Sequence, residues 1–177
     1  MRVLYIHNSY AIQTGEEHAS SAIVQFLRSE GHIVEWYRRC SGEIMGSLGG
    51  SIKAFFAGIY NPYTVTDVRR KLNTFQPDVV QVQNLYPLIS PSVFVALKTH
   101  GAPVVMRCPN YRLFCPSALC FDPNGNVCEK CLGNGKEFWM FQKNCMGIRF
   151  KSLGYALRGA VARQTRLILD NTSIYGN

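Results

Sequence analysis

The chain has 177 residues, 47% of them hydrophobic and 17% charged, with a formal net charge of +8. That length suits one domain with a sizeable core that needs no cross-links, and the composition excludes a disordered chain. No apolar run reaches the length of a membrane span, and the surplus of Lys and Arg favours anionic partners: phosphate-bearing ligands, an anionic membrane surface or nucleic acid.

The start runs from a short apolar stretch straight into His7-Asn8-Ser9, so no secretory signal is readable and a cytoplasmic location is expected. Residues 3–6 read as a buried parallel strand that ends in a loop. Thr14-Gly15-Glu16-Glu17 has the form of a capping box, and Ala19, Ala22, Ile23, Phe26 and Leu27 then repeat at helical spacing as far as Gly31, a natural left-handed cap. Residues 32–37 form a second strand. A strand, a helix and a strand in forty residues imply a right-handed crossover in a parallel sheet, hence an α/β fold.

A weaker helix is expected over 47–60, where Ile52, Phe55, Phe56 and Ile59 share a face that packs on the core; a peripheral membrane contact is the alternative. After the break at Asn61-Pro62, the spacing of Val65, Val68, Leu72 and Phe75 predicts a helix that Gln76-Pro77 ends. Residues 78–84 are a third strand. Ser90 as cap and Pro91 as first helical residue start a helix bearing Val93, Phe94 and Leu97. Residues 104–106 are a fourth strand, leading into a Cys-rich insert over 108–146. Beyond it, Leu153, Ala156, Leu157, Ala160 and Val161 make a core-facing stripe with Lys151, Arg158 and Arg163 on a basic outer face, and residues 166–170 read as the last strand.

The cysteines follow the spacing Cys115-x4-Cys120-x7-Cys128-x2-Cys131-x13-Cys145. In the cytosol such clusters serve more often as metal ligands or free thiols than as disulfides. One C-x-x-C knuckle with outlying thiols suits a structural Zn²⁺, and Asp122-Pro123-Asn124-Gly125-Asn126 reads as a tight turn that brings the flanking thiols together. Cys115, Cys128, Cys131 and Cys145 are the preferred ligands, with Cys120 competing for the first place. Free buried thiols are the alternative. A thioredoxin-type pair is disfavoured because Cys128-Glu129-Lys130-Cys131 does not open a helix after a strand.

Polar residues also close three strands: His7-Asn8, Gln83-Asn84 and Asn110-Tyr111-Arg112. With the helix start at Thr14-Gly15-Glu16, they predict a crevice for a polyhydroxylated or phosphorylated ligand.

These motifs, in this order, resemble the N-terminal domain of bacterial glycosyltransferases of family 4. The resemblance rests on His7-Asn8-x-Tyr10 with Thr14-Gly15-Glu16-Glu17, Pro77-Asp78-Val79-Val80, the run 84–92, and Asn110-Tyr111-Arg112-Leu113-Phe114-Cys115-Pro116, and covers essentially the whole chain. It implies a Rossmann-like, acceptor-side half of a GT-B enzyme that builds surface polysaccharide with retention at the anomeric carbon. A second half, absent from these residues, would bind most of the nucleotide-sugar, so this chain alone is expected to be inactive. No catalytic metal is implied; any zinc is structural.

Gly15 matches the second glycine of the family's Gly-Gly-Glu loop, whose backbone approaches the donor, and Glu16 follows it. Asn84, Asn110, Tyr111 and Arg112 are the other donor- or acceptor-binding candidates, and no catalytic residue is assigned. Thr14 stands in for a glycine, Pro109 for a histidine common before Asn110-Tyr111-Arg112, and Gln81 and Gln83 for histidines of the third strand. Proline removes a side-chain proton carrier, whereas the amides keep hydrogen bonding and lose proton transfer. The spacings Glu35-x7-Glu43 and Glu129-x7-Glu137 match a donor-domain motif by chance. Expected partners are a nucleotide-sugar and a carbohydrate or lipid-linked acceptor, not nucleic acid. The rival readings are a zinc-stabilised binding module and a catalytically silent partner domain.

Overall fold

The computed structural model describes residues 1–11, 14–44, 49–133 and 135–176. The chain forms two compact units, Met1–Pro109 with Leu169–Asn177, and Asn110–Ile168. The second is longer than the expected insert and takes in the helix that follows the cysteines.

In the first unit the elements are β1 (Arg2–Ser9), α1 (Gly15–Ser29), β2 (Ile33–Cys40), α2 (Gly50–Ile59), α3 (Pro62–Phe75), β3 (Val79–Val82), α4 (Val93–His100), β4 (Val104–Cys108) and, after the second unit, a strand at Ser173–Gly176 that we label β5. The strands form one parallel sheet in the order β2-β1-β3-β4-β5, flanked by helices in a Rossmann-like arrangement. β1 is buried from Val3 to Ser9, which explains its unbroken apolar run: a parallel strand covered on both faces needs no alternation. The strand order reverses between β1 and β3, the switch point where such folds bind ligands at the carboxyl ends of their strands.

α3 buries the expected Val65, Val68, Leu72 and Phe75. Asn61 caps it: its Oδ1 accepts from the Thr64 amide, its Nδ2 donates to the Leu88 carbonyl, and its own amide donates to Ser92 Oγ at 3.0 Å. Gly31 takes the left-handed conformation expected of it, with φ of +79°.

Several elements differ from expectation. α1 buries Glu17, Ser20 and Val24, with Ile23 and Leu27 partly covered, while Ala22 and Phe26 face solvent; the buried face centres on a carboxylate that reaches the strand tips. Residues 47 and 48 of the expected helix lie outside the described residues. In α2, Phe55 and Ile59 are half-buried, but Ile52 and Phe56 are exposed, so the packed face is narrower than the stripe implies. α4 begins at Val93 with Ser92 as its cap residue, because Ser90 adopts a positive φ and its Oγ accepts from the Ser92 amide. The last strand is Ser173–Gly176. The apolar residues 167–169 instead lead out of the second unit into a short 3₁₀ turn, Leu169–Asn171.

The second unit opens with a 3₁₀ turn, Tyr111–Leu113, continues through a hairpin closed by the Phe121–Val127 bridge, and ends with α5 (Trp139–Gln142) and α6 (Arg149–Gln164). Met140 and Ala156 form its small core with Cys131. Of the basic outer face expected of α6, Lys151 is exposed, but Arg158 is buried and Arg163 nearly so. Among the described residues, no helix is long and apolar enough to cross a membrane.

Candidate functional site

At the carboxyl end of β1 the register pairs His7 with Arg38 of β2, and Tyr5 with Trp36 one alternation earlier. Glu17 of α1 joins this pair. Its Oε1 accepts from the Tyr10 amide at 3.0 Å and lies 3.1 Å from His7 Nε2, and its Oε2 accepts from Arg38 Nη2 at 3.3 Å. His7 is fully buried, with the Trp36 ring edge-on to it. Burial outweighs the attraction of Glu17 and holds the imidazole below its ordinary pKa. A neutral ring donating Nε2–H to Glu17 leaves its lone pair on Nδ1, which has no hydrogen-bond partner among the described residues.

The capping box expected at this helix does not form. Thr14 occupies the cap position, but its hydroxyl makes no cap hydrogen bond, and Glu17 is engaged by His7, Tyr10 and Arg38. Gly15 opens α1 just beyond the β1 tip, and a Cβ added there would meet nothing within 4 Å. Backbone and helix dipole are thus open to a ligand at this point. Glu16 is half-buried beside it, close enough to act electrostatically on His7.

The amides at the strand tips fasten loops. Asn84 is buried: its Nδ2 donates to the Asn8 carbonyl at 2.8 Å, and its Oδ1 accepts from the Tyr86 amide at 3.3 Å. Asn8 Oδ1 in turn accepts from the Leu88 amide at 3.0 Å. Gln83 is also buried and receives the Tyr5 hydroxyl. These buried side chains therefore do not line an open crevice as expected: Asn8 and Asn84 tie the tip of β1 to the loop that follows β3, Gln83 joins β3 to β1 through Tyr5, and His7 meets Glu17 of α1.

The other candidates lie in the second unit. Asn110 Oδ1 accepts from the Arg112 amide at 3.1 Å, capping the turn that leaves Tyr111 exposed and Arg112 half-buried. The Tyr111 carbonyl accepts from the Cys115 amide at 2.8 Å, so this turn is built onto the cysteine region.

The expected tight turn at 122–126 is present: Asp122 Oδ1 accepts from the amides of Asn124 and Asn126, and the Cys128 amide donates to the Cys120 carbonyl at 2.8 Å. Cys115, Cys120, Cys128, Cys131 and Cys145 lie within electrostatic reach of one another. Cys131 donates to Cys115, which favours the Cys115 thiolate and holds the proton on Cys131. Burial, followed by the charge of neighbouring thiolates, raises Cys120 and Cys145. None of the seven cysteines is joined in a disulfide. Among the described residues no three His, Cys, Asp or Glu side chains converge into a metal-holding group. Cysteine sulfur is a soft donor of the kind that Zn²⁺ takes.

Two side-chain arrangements are not legible in the sequence. Thr14-x-x-Glu17 fits a local capping template, whereas the partners of Glu17 lie up to 21 residues away. Arg163 falls on the polar side of the α6 stripe, yet it donates to the carbonyls of Leu113, Phe114, Cys131 and Gly133 and lies 3.1 Å from Glu137. Glu35, Glu43 and Glu137 each pair with a basic residue, Lys71, Arg39 and Arg163.

No family model matches the chain, and no curated protein matches it.

Proposed function

We propose that this chain is the acceptor-side half of a retaining glycosyltransferase that moves a sugar from a nucleotide-sugar to a carbohydrate or lipid-linked acceptor during surface polysaccharide assembly. The observation that carries the reading is Gly15, which opens α1 beside the β1–β3 switch point with clear space around its Cα. Charge develops on the leaving diphosphate as the glycosidic bond breaks, and a helix start that admits a phosphate closely stabilises that charge. The acceptor hydroxyl gives up its proton as the new bond forms. Most donor contacts belong to a second Rossmann-like half.

On this reading Gly15 and Glu16 face the donor, and Tyr111 and Arg112 supply an exposed hydroxyl and a guanidinium suited to hydroxyl or phosphate groups. Asn84 and Asn110 position backbone. Structural zinc on Cys115, Cys128, Cys131 and Cys145 would hold the turn that carries Tyr111 and Arg112.

The test is sugar transfer by the chain expressed with the remainder of its reading frame, using a panel of labelled nucleotide-sugars and membrane-extracted acceptors. Acceptor-dependent release of nucleoside diphosphate supports the reading. Absence of transfer from every donor rejects it in favour of a silent partner domain, the reading that Pro109 favours.

A further inference from the structure

The surplus charge of the chain is not evenly spread. Residues 110–168 carry nine Lys and Arg against three Asp and Glu, a net +6 of the chain's +8. The same unit exposes large apolar side chains, among them Leu119, Phe121, Val127, Trp139, Ile148 and Phe150, from 40% for Trp139 to 74% for Val127.

These side chains sit on fixed supports. Phe121 and Val127 are bridge partners across the hairpin and so lie on the same side of it. The hairpin tip is locked by the Asp122 side chain, whose Oδ2 accepts from Lys143 Nζ at 3.1 Å just beyond α5. Lys130 lies 4.7 Å over the Trp139 ring, and Arg149 5.9 Å over Phe141 at the start of α6. Each cation is thus stationed against an aromatic ring next to exposed apolar atoms. Such a pattern places ammonium and guanidinium groups among lipid headgroups while the neighbouring side chains enter the acyl boundary.

We infer that residues 110–168 form a docking surface for an anionic membrane, with Phe121 and Val127 entering the bilayer interface and Lys130 and Lys136 meeting the headgroups. Charge selects the occupant: with Arg158 buried and Arg163 paired to the buried Glu137, seven exposed or half-buried Lys and Arg face solvent against Asp122 and Glu129, which is complementary to a surface of uniform negative charge such as a leaflet rich in acidic lipid. Phe121, Trp139 and Phe150 would suit a stacked base as well as a bilayer interface, but Leu119, Val127 and Ile148 have no ring on which a base can stack, whereas hydrocarbon accepts all six. The inference does not rest on sugar transfer, since docking requires neither donor nor acceptor.

The experiment is co-sedimentation of the full chain with vesicles of equimolar phosphatidylglycerol and phosphatidylcholine, and with phosphatidylcholine alone. Binding is expected to the first and to be weak or absent with the second, and to collapse at high salt. Lys130→Gln with Lys136→Gln should lower partitioning about thirtyfold, the factor for two basic residues near an anionic surface. Phe121→Ser with Val127→Ser should lower it at least about tenfold. All four side chains are exposed, so both variants keep the fold, checked by an unchanged circular dichroism spectrum. No binding overturns the inference. So does binding that both pairs leave intact, or binding lost only with Ile52→Ser and Phe56→Ser in α2. Salt-dependent capture of single-stranded DNA in place of vesicles, indifferent to Phe121 and Val127, overturns it as well.

Discussion

Replacing Arg163 by Met keeps the length and apolar stem of the side chain and removes its guanidinium. Glu137, its partner at 3.1 Å, has a side chain only 1% exposed, and Arg163 is 14% exposed. Neither Glu137 oxygen receives a well-directed hydrogen bond among the described residues, so its buried charge depends on this one neighbour. Removing one member of a buried pair costs about 3–5 kcal/mol, because the other charge is left without compensation. The four carbonyls that Arg163 holds add less, since two of these bonds are exposed and water replaces the lost donor. The expected loss is therefore about 3–5 kcal/mol, confined to residues 110–168. Hydrogen exchange read by mass spectrometry separates that unit from the sheet. Adding Glu137→Gln to Arg163→Met neutralises the stranded charge and should restore at least about 2 kcal/mol. A single-variant loss below about 1 kcal/mol, or a double variant no better than the single, would refute the reasoning.

Asn61→Ala should destabilise the sheet unit by about 1–2 kcal/mol by removing a helix cap and the amide that reaches the Leu88 carbonyl. Asn61→Asp, which keeps the acceptor, should recover part of the loss in a thermal melt. His7 gives a pH signature: its folded pKa lies below the ordinary 6.5, so as pH falls through 6.5 the unfolded chain takes up a proton that the folded one refuses. Stability should fall by up to about 1.4 kcal/mol per pH unit until the folded pKa is reached, in urea titrations from pH 7.5 down to 5.5. His7→Gln, which can still donate to Glu17, should lose that component of the slope; an unchanged slope contradicts the assignment. Protein purified without added zinc should carry about one Zn²⁺ per chain. Its removal by chelator should raise hydrogen exchange in 110–168 and leave 79–82 unchanged. A stoichiometry near zero under reducing conditions ends the zinc proposal.

The sheet was legible wherever local sequence carried the cause of the structure. Residues 3–6 are an apolar run that suits a strand buried on both faces, residues 79–82 and 104–106 are short stretches whose alternate side chains are buried, and the Val65, Val68, Leu72, Phe75 stripe predicts the buried face of α3 directly. Local pattern misleads where a distant partner competes for the same side chain. Thr14-x-x-Glu17 reads as a capping box, but His7 and Arg38, brought together by strand register, make a better use of the carboxylate. Arg158 and Arg163 read as solvent-facing because a buried charge needs company the sequence does not reveal. Here Arg158 stacks 3.4 Å from the Tyr155 ring and Arg163 meets Glu137. Residues 167–169 are apolar enough for a strand, yet Ser173–Gly176 is what pairs with β4. Of the expected site residues, Gly15, Tyr111 and Arg112 emerge as accessible or half-exposed, whereas the amides of Asn84 and Asn110 hold backbone.

Gly15→Val, assayed in the protein with its full reading frame, tests the central claim most directly. A Cβ at Gly15 meets nothing within 4 Å, so folding stability should change by less than about 0.5 kcal/mol. Sugar transfer should fall about a hundredfold, because the added side chain keeps the donor phosphate from its place at the start of α1. Transfer that survives Gly15→Val at the wild-type rate, or no transfer by the unaltered protein from any nucleotide-sugar, would contradict the account.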